Sequence, residues 1–244
     1  MLDERAFAET LASRVLYRDG LILVIDKPAG IAVHAGPGRG PNLEEGFAAL
    51  RFGLPHPPAL AHRLDRDTSG CLVLGRHAKA LRRLGALFAA GRVEKTYWAI
   101  VEGEPPERDG RIETGLKKLA LGGVWKIVID GEGPRAITDY RVRGRESGRS
   151  WLELKPSTGR THQLRVHCAA LGAPVVGDPV YGRGGPRRMP GERTLLHARS
   201  IVLPLYPARP AIAVCAPVPT DMLGALLRLG YDPGQVSEDE RSRG

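Results

Sequence analysis

Three cysteines in 244 residues, at positions 71, 168 and 215, are too few and too scattered to staple a fold, and their spacing fits no zinc site. They read as buried thiols of a reducing compartment. No apolar run approaches the ~18–20 residues that a membrane-crossing helix needs, and the N-terminus lacks the basic head and apolar segment of a leader. A cytoplasmic protein without membrane contact is expected. Aromatic residues make up only 5% of the chain, so the core has to be built from Leu, Val, Ile and Ala. The histidines lack metal-ligand spacing, His162 and His167 standing five apart, and Gly36-Pro37-Gly38 lacks the Lys-Ser/Thr of a phosphate loop. Neither a metal nor a cofactor is expected.

What the chain does have is positive charge: 36 Lys and Arg stand against 27 Asp and Glu, a net +9. A basic protein of this size commonly meets a polyanion, and nucleic acid is the first candidate. Seven of these cations are lysine and 29 are arginine. Arginine suits bidentate contact with phosphate and stacking on bases, although a GC-rich genome produces the same excess.

Residues 1–13 read as a short frayed helix, 14–233 as one catalytic domain, and 234–244 as a polar tail expected to be disordered. Arg14 to Tyr17 and Leu21 to Asp26 form a predicted hairpin around Arg18-Asp19-Gly20. Lys27-Pro28-Ala29-Gly30 breaks the strand, which is expected to resume over Ile31 to His34. On the residues alone Lys27 reads as an ordinary turn residue and His34 as a strand-end residue, with a functional role equally open for each. Asn42 with Glu45 marks a helix over roughly Leu43 to Phe52, and the spacing of Leu81, Leu84 and Leu87 predicts an amphipathic helix with a basic outer face. Strands follow at Glu94 to Val101, Arg111 to Lys118, Gly123 to Ile129, Ala136 to Arg143 and Trp151 to Leu154. A helix begins near Gly159, with Thr158 or Thr161 able to cap it and His162 and Arg165 on one face. The Arg-rich Gly182 to Arg193 loop could clamp phosphates. Leu195 to Leu203 and Ala211 to Cys215 read as paired strands, and Thr220 to Leu229 as a last helix.

One stretch concentrates the chemistry. Ala61 to Gly70, AHRLDRDTSG, places Asp65 between Arg63 and Arg66 in a loop that enters an apolar strand, where flanking cations would hold a carboxylate ionised. A surface salt-bridge cluster would look the same in composition. His62 to Gly70 resembles the signature of the RluA-type pseudouridine synthases. Four more stretches agree in order and spacing: Asp26 to Gly36, Glu94 to Gly103, Lys155 to Gly182 and Leu195 to Pro204.

The resemblance implies an α+β pseudouridine synthase fold, with a central mixed, mainly antiparallel sheet flanked by helices and a cleft holding the site. It implies an isomerase that converts uridine in structured RNA, an rRNA or tRNA stem-loop, to pseudouridine without cofactor, metal or obligate protein partner. Asp65 is then the catalytic carboxylate, Arg165 its paired arginine, and Tyr97 the ring that stacks on uracil. Arg63 would fill the gap left by a flipped base. Arg160 would meet phosphate at a helix N-terminus, with His62, Arg66, Lys95 and His162 as further RNA-contact residues, His62 chiefly shaping the loop. Relatives often carry a small N-terminal RNA-binding domain; the short segment 1–13 leaves RNA selection to the catalytic domain. The residues leave open attack by Asp65 on C1′, attack on C6, and proton removal from C2′. Two other readings remain at this point: a glycosidic-bond hydrolase, which ordinarily needs a second carboxylate across the sugar, and a non-catalytic basic RNA-binding protein.

Overall fold

The structure, a computed structural model, describes residues 4–35, 41–121, 124–183 and 193–234. The expected tail from residue 235 and most of the Arg-rich loop, 184–192, lie outside them. In chain order the elements are α1 (Glu4–Ser13), β1 (Val15–Arg18), β2 (Ile22–Lys27), a 3₁₀ helix (Leu43–Leu50), β3 (Ala59–Leu60), β4 (Ser69–Gly75), α2 (Ala78–Ala89), β5 (Glu94–Glu102), β6 (Asp109–Leu121), β7 (Val124–Ile129), β8 (Arg135–Glu146), β9 (Arg149–Pro156), α3 (Gln163–Ala170), β10 (Leu196–Leu203), β11 (Ile212–Cys215) and α4 (Thr220–Arg228). The chain divides into two compact units, Met1–Val93 with Ala198–Pro217, and Glu94–His197 with Val218–Gly244.

In the first unit the hairpin of β1 and β2 turns on Asp19, whose Oδ1 accepts from the amides of Leu21 (2.7 Å) and Ile22 (2.8 Å). β2 pairs antiparallel with β1 and β4, β4 with β3, and β10 with β11. Ile22, Val24, Val73, Leu84, Leu87, Ile201 and Leu203 form an aliphatic cluster, as the low aromatic content requires. α2 buries Leu84 and Leu87 there and turns Arg82 outward. Its N-cap is His77, whose Nδ1 accepts from the Ala80 amide at 3.2 Å. Asn42 caps as expected, accepting from the Glu44 amide and donating to Glu45 Oε1 at 2.7 Å, but the helix that follows is 3₁₀. The strand expected over Ile31 to His34 does not form; a single bridge joins Ala32 to Asn42. Gly30, at φ +87°, turns the chain away and donates its amide to Arg66 O in a more distant loop.

In the second unit the strand order is β5-β9-β8-β6-β7, every neighbouring pair antiparallel. The tight turn between β8 and β9 has positive φ at both Ser147 (50°) and Gly148 (71°), the mirror-type turn whose twist suits a hairpin. α3 sends Leu164 and Cys168 into a cluster with Ala99, Val101, Leu152 and Leu154. Here the aliphatic expectation fails: Trp98, Trp151 and Tyr231 meet edge to face with ring centroids 4.8 to 5.7 Å apart, beside Met222 and Leu226 of α4. Neither Thr158 nor Thr161 caps α3. His162 occupies the N-cap position at φ 52° with no side-chain cap, so it precedes the helix, yet it and Arg165 both reach Tyr181. Gln163 organises this corner, donating to Ile137 O (2.9 Å) and accepting from Thr158 Oγ1 (2.7 Å) and the Arg160 amide (3.0 Å). Of the three thiols expected to be buried, Cys71 and Cys168 are, whereas Cys215 on β11 is exposed.

His167 is fully buried in this unit, its ring nitrogens 3.1 and 2.9 Å from the hydroxyls of Thr114 and Thr138. Burial pulls its pKa down to about 4. Because the folded value lies below the unfolded one, near ~6.5, the neutral ring supports the fold at neutral pH and that support is lost as pH falls towards 4. The thermal midpoint of the wild type should therefore fall more steeply between pH 6.5 and 4 than that of His167→Gln, whose amide cannot protonate; parallel curves would contradict this.

Candidate active site

Asp65 lies in the loop between β3 and β4, at the first position of a turn closed by the Thr68 amide on Asp65 O at 3.1 Å. The turn is fastened from beneath. Lys27, at the end of β2 opposite Gly70, is wholly buried, and its Nζ donates to Pro28 O (2.7 Å), Arg66 O (2.9 Å) and Thr68 O (2.9 Å). Three carbonyls thus take the three protons of an ammonium that burial would otherwise penalise heavily. Arg66 doubles the attachment: its O accepts from the Gly30 amide (3.0 Å), and its Nε donates to Gly30 O (2.9 Å). This explains the break at Lys27 to Gly30, since those residues clasp the Asp65 turn and cannot continue a ladder.

The two ends of the loop are set by other means. His62 Nε2 accepts from the Val73 amide at 3.0 Å, which places its proton on Nδ1, and the ring leans on Phe88 at 4.9 Å. Gly70 has φ +103°, and a Cβ there would come within 2.2 Å of Ala198 O, so only glycine fits where the loop enters β4. Arg63 and Arg66 are exposed, and Asp65 is half-buried.

The second unit holds the other expected residues. Tyr97 stands on β5 opposite Leu154, half-buried against the Leu164 and Cys168 cluster. Arg165 on α3 makes a two-pronged pair with Asp178, Nε to Oδ2 at 2.6 Å and Nη2 to Oδ1 at 2.7 Å. Burial pushes the Asp178 carboxyl up, but the Arg165 guanidinium and the amides of Val180 (2.9 Å) and Tyr181 (3.1 Å) outweigh it and hold the carboxyl below its usual value. The guanidinium carbon also lies 5.1 Å over the Tyr181 ring. Tyr181 shares a hydrogen bond with His162 Nδ1 at 3.0 Å and accepts from the Ile127 amide at 2.9 Å. Lys95 is half-buried and donates to Thr158 O at 3.3 Å, and burial holds its ammonium below the usual lysine value. Arg160 is exposed, with Nε on Arg135 O at 3.1 Å.

Asp178 and Tyr181 were not singled out by the sequence, although Gly177-Asp178-Pro179 carries the signal of a side-chain-closed turn. Each unit therefore holds a candidate side chain on a rigid mount: a carboxylate on a lysine-clamped turn in one, an arginine fixed by a buried aspartate in the other.

A family model described as RNA pseudouridylate synthase matches residues 21–170, a stretch that includes Asp65, Tyr97 and Arg165. The chain belongs to this family. An uncharacterized RNA pseudouridine synthase of Zymomonas mobilis is 44% identical over 211 residues, covering 86% of this chain and 95% of that protein. Ribosomal large subunit pseudouridine synthase D of Xanthomonas campestris is 34% identical over 257 residues, covering 96% of this chain and 74% of that protein. Among solved structures, human RNA pseudouridylate synthase domain containing 4 superposes with a TM-score of 0.78 at 26% identity, over 95% of this chain and 98% of that one. The synthase acts on RNA, isomerising uridine to pseudouridine, and its α+β architecture of antiparallel ladders flanked by helices is that of its structural neighbours.

Replacing Lys27 by Met should lower unfolding stability by about 3 kcal/mol, since buried carbonyls lose their donor, and should cut kcat of the synthase by more than about tenfold by loosening the turn. Lys27→Arg should not restore kcat, because a planar fork does not match three converging carbonyls. Urea titration with turnover measurement checks both. Asp178→Asn should cost about 3–5 kcal/mol by leaving the Arg165 charge buried without its partner, read by the same titration; a change under 1 kcal/mol would rule out that ion pair as a structural anchor.

Proposed function

We propose that the synthase modifies uridine in a stem-loop of structured RNA, with rRNA ahead of tRNA because the Xanthomonas campestris relative is named for the large ribosomal subunit. In the reaction the N1–C1′ bond breaks, C5 bonds to C1′, the C5 hydrogen leaves to solvent and N1 gains a proton, so the product is an isomer of the substrate. Asp65 is the catalytic carboxylate. It suits attack on C1′, attack on C6 or proton removal from C2′, and the clamped turn supports any of these by fixing where the carboxylate starts. Arg165 is its counter-charge, held in one rotamer by Asp178. Tyr97 stacks on the target uracil and assists at C5.

A uridine inside folded RNA has to leave its stack, which costs a few kcal/mol. Arg63, exposed beside Asp65, fills the gap. Arg160 meets phosphate before α3, where backbone donors also favour anions. Arg66, Lys95 and His162 add RNA contacts, and His62 holds the loop. Residues 14–233 work as one catalytic region, as a monomer in the cytoplasm, with no cofactor, metal or obligate protein partner; no helix among the described residues is long and apolar enough to cross a membrane. The observation that carries this reading is the turn itself, a half-buried Asp65 whose backbone is tied to a buried ammonium.

Unmodified rRNA and tRNA transcripts tritiated at uridine C5 provide the test. Wild-type protein should release tritium with the base retained, and Asp65→Asn should release at least about a thousandfold less while binding the transcripts with affinity unchanged. Free uracil as product would mean hydrolysis, and equal release by both proteins would remove Asp65 from the mechanism.

A further inference from the structure

Given that the substrate is structured RNA, the β6–β7 hairpin has an unexplained distribution of charge and apolar surface. Near its base the cations are neutralised: Arg111 pairs with Asp139 at 2.7 Å, Arg135 with Glu113 at 2.6 Å and Lys117 with Asp130 at 3.3 Å. From Leu116 to Ile129 the sequence then carries three of the chain's seven lysines and no carboxylate. Lys118 and Lys126 have no carboxylate partner among the described residues. Beside them Trp125 is 42% and Leu119 49% exposed, in a chain with only three tryptophans.

The register divides these groups between the two faces of the ribbon. Trp125 faces Ala120 and Ile127 faces Lys118, so Lys118 and Trp125 share one face of the ribbon, with the ammonium 4.8 Å from the indole centre, while Leu119 and Lys126 face each other on the opposite side. On the Lys118 face Trp125 also stacks on His162, centroids 5.0 Å apart and planes 24° from parallel. His162 continues to Tyr181, and Tyr181 to Arg165. Deeper along the same face Leu116 and Ile127 pack with Val166 of α3, and the Ile127 amide holds the Tyr181 hydroxyl, so the ribbon is anchored to the helix that carries Arg165.

We infer that the outer end of this ribbon, with Lys118 and Trp125 on one face and Lys126 on the other, is an RNA-contact surface separate from the residues that meet the target nucleotide. Phosphates lie against Lys118 and Lys126, and an unpaired base lies against the exposed part of the indole. An aromatic ring next to an unneutralised cation is the combination that single-stranded nucleic acid uses, whereas the core of a protein interface is depleted of charge and of lysine in particular. The surface determines how firmly the RNA is held and leaves the bond-making step to Asp65.

The probe is a large-subunit rRNA transcript tritiated at uridine C5, with a tRNA transcript alongside, used for both filter binding and tritium release. Trp125→Ala, and separately Lys118→Gln with Lys126→Gln, should each weaken binding and raise KM about tenfold, with kcat within about twofold of wild type. The double lysine variant should also flatten the salt dependence of log affinity by about 2. Trp125→Phe should recover most of the binding, and the lysine variant, altering exposed side chains only, guards against a folding defect in Trp125→Ala. Unchanged affinity and salt slope in both variants would overturn the inference, whether or not tritium is released. Absence of release by the wild type with the binding losses intact would instead count against the proposed substrate and leave the surface standing. A wild-type dimer in sedimentation that Trp125→Ala converts to monomer, with RNA binding unaltered, would assign the face to a second copy of this chain and overturn it as well.

Discussion

A single buried ammonium sets the geometry of the loop between β3 and β4. Lys27 lies at the end of a fully packed strand and binds three carbonyls, two of which belong to the turn that carries Asp65. Burying a lysine is costly unless each of its protons is accepted, so the position tolerates only a backbone that converges on it. The charge and the turn specify each other. A carboxylate on an ordinary surface loop would wander by an ångström or more. Asp65 is instead referenced to the buried end of β2. Gly70 and His62 complete the mount at the two ends of the loop, one by excluding any side chain, the other by accepting a strand amide.

The second unit solves the same problem with opposite polarity. Arg165 is a buried cation on a helix, and its orientation comes from Asp178, whose carboxylate is itself held by two successive backbone amides. Loop backbone therefore orients each charged group: carbonyls for the lysine, amides for the aspartate.

Much of this was legible in the sequence, for identifiable reasons. The helix of Leu84 and Leu87 and the hairpin around Asp19 announce themselves by period and turn chemistry, and the family by the motif around Asp65, whose flanking arginines alone would equally fit a surface salt-bridge cluster. What escaped is what depends on contacts distant in sequence. Lys27 reads as an ordinary turn residue until Arg66 and Thr68, some 40 positions later, are placed against it. Asp178 reads as a loop acid until α3 brings Arg165 beside it. The start of α3 was misread because two threonines stood where a cap is usual, yet Gln163 makes the bonds from inside the helix and His162 takes a left-handed backbone before it. The aromatic residues were misjudged in the same way, since a low count says nothing about whether the few are gathered together.

The cysteines leave the protein with a useful asymmetry. Burial pushes the thiols of Cys71 and Cys168 up to about 12, which keeps them protonated and out of reach of solvent. Cys215, on the short strand β11, stands at the surface. A maleimide applied to the folded chain at neutral pH is therefore directed to one position in the first unit, so a fluorophore or spin label can be attached there stoichiometrically without first engineering the other two cysteines away.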